Sequence, residues 1–231
     1  MGCTQSRKKF KQYDVEAKPT AMRKFMPGSN PLVAANTYTL KNRIFRMHED
    51  YDIEDKNGLV AFKVAAHMLS LHAPQFLLDK KGKKVCMLRK EFSGTTNFYL
   101  YSYSPAFEGQ ESTEKDDEEF GDKPVYGFGK ITTVFPAFPS RWEYHLYRPS
   151  NEFEKVGEIS SVCSLSSQLI MQDVYGIDMF KLDDCGRVKK DRGGTAEIYK
   201  LDVANGVDPL QAIAIALTCQ QLSQDEGLGE D

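Results

Sequence analysis

Near its carboxyl end the chain reads "VDPLQAIAIALTCQQLSQ", and this stretch restricts the fold more than any other. Asp208 followed by Pro209 is the preferred pairing at a helix start, an N-cap oxygen and then a residue with no N–H to orphan. The body that follows, Leu210 to Leu217, is apolar on every face except at Gln211. A surface helix would carry a polar stripe, so this one must be enclosed by protein or lie in lipid. About fourteen residues at ~1.5 Å each make roughly 21 Å, short of the ~30 Å hydrocarbon core of a bilayer. Gln211, Gln220 and Gln221 bracket the segment with polar groups. Enclosure by protein is the expectation, with a helix over 208–222.

The enclosing material reads as strands. Fourteen Phe, eleven Tyr and seventeen Gly favour strands and turns. From "TYTLKNRIF" onward, short apolar runs alternate with turns of one design, Asp55-Lys-Asn-Gly58, Asp79-Lys-Lys-Gly82 and Asp183-Asp-Cys-Gly186. Asp at the first position of a type I turn binds its own backbone, and Gly at the fourth supplies positive φ. Three such hairpins predict an antiparallel all-β meander. Further strands are expected at "WEYHLYR", "KVGEISSV", "SQLIMQDV" and "TAEIYKLDV". Many strands and one all-apolar helix imply strands wrapped around the helix, with alternating alanines allowing close packing. The segment 108–123 has too few apolar residues to offset its ordering entropy and is expected to be a mobile acidic loop. No EF-hand spacing is found in it.

The first strand "YTLKNRIF", the first two D-x-x-G hairpins, the "VGEI" strand and the terminal "VDPLQAIAIAL" helix together resemble the tubby C-terminal-like superfamily. The nearest branch is the LURP-one-related proteins, with phospholipid scramblases as relatives. The resemblance spans residues 33–222. It implies a mainly β fold, a closed antiparallel barrel of about twelve strands enclosing the hydrophobic C-terminal helix. It also implies recognition of phosphoinositide headgroups by basic side chains, as in tubby domains, or lipid movement, as ascribed to scramblases. The chain lacks the cysteine cluster and proline-rich tail of scramblases, and the segment before the helix offers only Asp202 and Asp208 towards calcium.

Outside that domain, residues 1–32 form a basic leader and 223–231 an acidic tail. Within residues 1–24, seven basic side chains face only Asp14 and Glu16, whereas within 108–122 eight carboxylates face only Lys115. The leader opens "MGCTQSRKKFK". Gly2 and Ser6 satisfy the M-G-x-x-x-[ST] pattern for N-myristoylation, and Cys3 is placed for palmitoylation. One myristoyl chain holds a protein to membrane only marginally, so a second signal is needed. Cys3 supplies one, and the membrane-electrostatic cluster Arg7, Lys8, Lys9 and Lys11 supplies another, each cation adding ~1 kcal/mol at an anionic leaflet. The expected location is the cytoplasmic face of the plasma membrane, lipid-anchored and not transmembrane. Five scattered cysteines without a C-x-x-C pair fit a reducing compartment, and no signal-peptide h-region follows the start.

Catalytic chemistry finds no foothold. His48, His67, His72 and His145 lack metal-ligand spacing, Cys163 and Cys185 have no evident base, and there is no nucleophile elbow, Walker loop or dinucleotide fingerprint. No catalytic residue, metal or cofactor is assigned, and the net charge of −3 argues against a nucleic-acid partner. For an anionic headgroup, Lys41 and Arg43 stand two apart, hence on one face of the first strand. Lysines 80, 81, 83 and 84 crowd the second hairpin, and Arg187, Lys189, Lys190 and Arg192 follow the third D-x-x-G. The expected function is a monomeric, membrane-tethered tubby-like domain that binds anionic phospholipid or phosphoinositide as an adaptor or sensor, with room for a protein partner. A scramblase-like phospholipid transporter and a soluble enzyme with an unrecognised site are the alternatives.

Overall fold

The computed structural model describes residues 37–43, 51–66, 74–92, 96–115, 123–134, 140–163, 166–176, 178–189, 195–204 and 207–227. Among them are β1 (Thr37–Arg43), β2 (Tyr51–Asp55), β3 (Val60–Ala66), β4 (Gln75–Asp79), β5 (Lys84–Phe92), β6 (Thr96–Ser102), β7 (Glu114–Lys115), β8 (Pro124–Thr133), β9 (Arg141–Tyr147), β10 (Phe153–Cys163), β11 (Ser166–Asp173), β12 (Asp178–Lys189), β13 (Thr195–Val203) and α1 (Pro209–Gly227). Strands pair antiparallel with their sequence neighbours, except that β6 skips β7 to pair with β8. β1 pairs with β13, Thr37 opposite Asp202 through Arg43 opposite Ala196, and this closes a ring of twelve strands. Closure leaves the ring no unpaired edge. The two-residue β7 lies against Val125 and Pro124 of β8, outside the ring.

The ring forms because the strands alternate. On β9, Trp142, Tyr144 and Leu146 are fully buried, while Arg141, Glu143, His145 and Tyr147 take the other face. The inward residues converge on α1, whose positions from Pro209 to Gln220 are all buried. Ala212, Ile213, Ala214, Ile215 and Ala216 have no exposed surface at all. Outward faces carry charge, as where Lys155 Nζ stands 2.7 Å from Glu143 and 2.6 Å from Glu158, and, on β4, β5, β6 and β8, a second apolar cluster of Phe76, Met87, Tyr101 and Val125. A membrane-spanning barrel has the reverse arrangement, an apolar outer band around a polar interior.

Several polar groups of the enclosed helix find partners, although Gln211 Oε1 is buried without a hydrogen bond. The Leu210 N–H donates to Asp208 Oδ1 at 2.9 Å and the Ala212 N–H to the Asp208 carbonyl at 3.0 Å, the expected cap. Thr218 Oγ1 donates to the Ala214 carbonyl at 2.9 Å. Gln211 donates its side-chain N–H to the Tyr144 hydroxyl. Gly129 of β8 makes room for that ring, since a Cβ there would stand 2.7 Å from Tyr144 Oη.

The first two D-x-x-G hairpins are where the sequence places them, with Gly58 at φ 75° and Gly82 at φ 79°. The third is not. Asp183–Gly186 lies inside β12, where the register against β13 slips between Asp184 and Arg187 in a β-bulge centred on Gly186 at φ 88°. The turn between β11 and β12 is Asp173-Val-Tyr-Gly176, the same motif one strand earlier, with the Gly176 N–H donating to the Asp173 carbonyl at 2.9 Å. Part of the acidic segment is tied to the wall, because Gln110 Nε2 donates to the Gly127 carbonyl at 2.7 Å and the Gly127 N–H to Thr113 Oγ1 at 2.8 Å. Residues 116–122 lie outside the described residues. The helix continues past 222 into the expected tail, because nothing in "SQDE" breaks it before Gly227.

Filling the barrel should dominate stability. Ile213→Ala is expected to cost ~2–5 kcal/mol through the cavity it leaves, and Ala214→Leu ~1–3 kcal/mol through overpacking. Tyr175→Ala, on an exposed turn, should stay within ~0.5 kcal/mol. Chemical denaturation compares the three, and equal losses would contradict an enclosed helix.

Candidate functional site: the turn end of the barrel

An up-and-down ring has two ends, and this one uses them unequally. The β2–β3, β4–β5, β9–β10 and β11–β12 turns and the connection from β6 to β8, with exposed Glu108 and Glu111, all lie at one end. β1 begins there, β13 finishes there, and α1 enters the barrel there. Following the strand order around this rim gives the acidic β6–β8 connection, the β4–β5 hairpin, the β2–β3 hairpin, the start of β1, the end of β13 and the β11–β12 hairpin. The start of β1, to which the basic leader connects, therefore sits between two hairpins.

Two neighbouring hairpins on this rim bear exposed lysines. Lys56 occupies the β2–β3 turn and Lys80, Lys81 and Lys83 the β4–β5 turn, all exposed. Their turns also contain aspartates, but these are committed to the backbone. Asp55 Oδ1 accepts the N–H groups of Asn57 at 2.8 Å and Leu59 at 3.0 Å, and Asp79 Oδ1 those of Lys81 at 2.8 Å and Lys83 at 2.9 Å. The Leu59 amide foremost for Asp55, and the Lys83 amide for Asp79, hold these carboxyls below the usual aspartate pKa. The lysines are exposed, while the carboxylates accept N–H groups of their own loops. Lys84 is tied down, its Nζ 4.2 Å from the centroid of the Phe76 ring on the outer wall.

The rim also bears apolar side chains that the sequence reading did not single out: Leu59 and Val60 on β2–β3, and Val174 and Tyr175 on β11–β12. The available signal was that all four adjoin or fill the two central positions of a D-x-x-G turn, where nothing in turn formation asks for an apolar residue.

The other expected residues fall elsewhere. Lys41 does face outward from β1, and both Glu54 carboxylate oxygens hold its Nζ, at 2.6 and 2.7 Å. Arg43 follows two positions on in the same strand, and its side chain lies outside the described residues, as do Gly2, Cys3, Arg7, Lys8, Lys9 and Lys11. Arg187 stands on β12 beyond the bulge, towards the opposite end, and pairs with Glu197 at 2.8 Å. The barrel thus gathers lysines 56, 80, 81 and 83 and separates them from Arg187, while Lys190, Arg192 and the side chain of Lys189 lie outside the described residues.

Among the described residues, reactive groups are not assembled. His145 lies 3.4 Å from Glu143 and 3.3 Å from Thr132, with burial pushing its pKa down. The Cys86 thiol is fully buried, which drives its pKa up and away from the reactive thiolate. No group of three metal-ligating side chains occurs among the described residues. His48, His67 and His72 and the side chain of Cys163 lie outside them.

The aspartate turns have a pH signature. The folded pKa of Asp79 lies below its unfolded one, so its contribution to stability is in place above the unfolded value and is lost as pH falls through the folded one. Carboxyl NMR should find Asp79 titrating below an unperturbed aspartate, and Asp79→Ala should speed amide exchange at Lys81 and Lys83. An unshifted titration would contradict the turn geometry.

With the fold and rim described, comparison with known proteins is informative on kinship alone. The family model described as LURP-one-related matches residues 36–220. Among solved structures, the chain is similar to an Arabidopsis thaliana protein at 17% identity and a TM-score of 0.45, covering 84% of this chain and 95% of that one. It is also similar to a porin-like protein from Bacteroides uniformis at 12% identity and a TM-score of 0.14, covering 75% and 97%. No curated protein matches the sequence. The match over 36–220 takes in every strand of the ring and the buried part of the helix, and on that ground the chain belongs to the LURP-one-related family.

Proposed function

We propose that this protein is a non-enzymatic, membrane-tethered barrel that binds anionic phospholipid through the lysine-bearing rim and serves as an adaptor or sensor at the cytoplasmic face of the plasma membrane. The observation that carries the reading is one of placement: Lys56, Lys80, Lys81 and Lys83 are exposed at the same end of the barrel at which the chain arrives from the leader. A chain acylated at Gly2 and Cys3 would bring this end towards the leaflet, and the Arg7, Lys8, Lys9 and Lys11 cluster would reinforce the attraction. The interior offers a substrate little room, since helix side chains fill it. The chemistry of the rim suits a phosphate-rich surface, in which lysines act as mobile point charges.

Lys41, gripped by Glu54, is a weaker headgroup ligand in this reading than the hairpin lysines. The scramblase-like alternative needs a route for lipid through the bilayer. The described helix is not long and apolar enough to cross a membrane, and the outer strand faces bear ion pairs.

Vesicle flotation of the unacylated full chain tests the proposal. Binding to phosphatidylcholine–phosphatidylserine vesicles should fall with salt. At ~1 kcal/mol per lysine, the triple variant Lys80→Gln, Lys81→Gln, Lys83→Gln should weaken it about a hundredfold. Salt-independent binding, or an unaffected triple variant, would refute the role of the rim. In cells, Gly2→Ala should abolish incorporation of a myristate analogue and move the protein to the soluble fraction; an unchanged distribution would refute tethering.

A further inference from the structure

The lysine rim accounts for attraction to a charged surface, yet it leaves unexplained the apolar residues set among the cations. Six large apolar side chains are substantially exposed among the described residues, and only Val134 lies at the opposite end of the barrel. Leu59 is 66% exposed, Val174 59% and Tyr175 72%, with Val60 and Phe153 less so. Folding gains little from them, because they bury little. Val174 and Tyr175 fill the two central positions of the Asp173–Gly176 turn, whose geometry is supplied by Asp173 Oδ1 accepting the Tyr175 N–H at 2.9 Å and by Gly176 at φ 73°. Any polar pair would serve that turn, and an apolar tip in water is a liability.

The position of the two tips points to their occupant. In strand order, the β2–β3 tip with Leu59 and Val60 and the β11–β12 tip with Val174 and Tyr175 are separated only by β1 and β13. The basic first 36 residues join the barrel at Thr37, between the two tips. Lys80, Lys81 and Lys83 flank the first tip on the neighbouring hairpin. Apolar points with cations beside the first of them match a lipid surface, where hydrocarbon lies just beneath phosphate and tyrosine partitions to the boundary between them.

Building on the lipid-binding reading, we infer that the two hairpin tips insert into the interfacial layer of an anionic leaflet as paired wedges on either side of the leader, while the lysines of the β2–β3 and β4–β5 turns meet the phosphates. The lysines set the attraction and its salt dependence; the tips set depth, orientation and dwell time. The barrel then stands end-on, with its opposite end turned to the cytoplasm and open to a protein partner.

The test uses the unacylated full chain with phosphatidylcholine–phosphatidylserine vesicles whose phosphatidylcholine carries brominated acyl chains. Trp142, the single tryptophan, is buried in the barrel and gives a constant background. In the Tyr175→Trp variant the added emission should shift blue and be quenched on binding, whereas in Val134→Trp it should not. The double variant Val174→Asp, Tyr175→Asp should keep its Tm and lose about tenfold or more in vesicle affinity. If the chain binds vesicles through the lysines but Tyr175→Trp is unquenched and the double variant binds normally, the wedges are refuted and the lipid reading stands. If the chain does not bind vesicles at all, both fall, and the rim is left as a surface for a soluble partner.

Discussion

Everything in this molecule follows from a helix that cannot face water. Residues 209–220 are buried at every position, so α1 needs a sheath on all sides, and no helix bundle or open sheet of this length supplies one. A ring of twelve strands does, and the ring needs the helix in return. The inward rows of Leu40, Ile53, Leu77, Leu100, Trp142 and Leu182 would otherwise line an empty cavity. The alanines at 212, 214 and 216 set the fit, letting larger strand side chains approach the helix backbone. The large cavity costs expected of interior truncations express that mutual dependence.

The same enclosure dictates the geography of the surface. Since the chain runs up and down around the helix, the short aspartate–glycine turns fall together at the end where the helix enters, and β1 begins among them. Lysines that are scattered along the sequence, at 56 and at 80 to 83, become neighbours because β2–β3 and β4–β5 are adjacent in the ring. The aspartates of these turns accept backbone N–H groups inside their own loops. A lysine-bearing arc of the rim thus follows from closing the barrel, and the apolar tips are what the turn chemistry does not require.

Much of this was legible in the residues. The helix was, because its start signals and its lack of a polar face are local properties. The Asp55 and Asp79 hairpins were, because Asp and Gly at that spacing act through their own backbone. The Asp173 turn was missed for a physical reason: Val174 and Tyr175 have strong strand preference and hid a turn made by the residues on either side. Asp183–Gly186 carries the same letters yet forms a bulge, since the pairing of β12 with β13 continues on both sides and tertiary pairing overrides turn preference. The outward face of Lys41 could be read from strand alternation, but its capture by Glu54 depends on the register of β1 against β2, which no local pattern encodes. The twelve-strand count came from family resemblance, and closure of β1 on β13 spans too many residues to be read from periodicity.

Hydrogen–deuterium exchange of the full chain with and without phosphatidylserine vesicles interrogates the enclosed helix and the docking rim in one measurement. The account predicts that amides of residues 210–220 exchange only by global unfolding whether or not lipid is present, while vesicles slow exchange in the 55–60, 79–84 and 173–176 turns and leave the opposite end unchanged. Fast exchange in the helix, its exposure on adding vesicles, or lipid protection confined to the opposite end would contradict it.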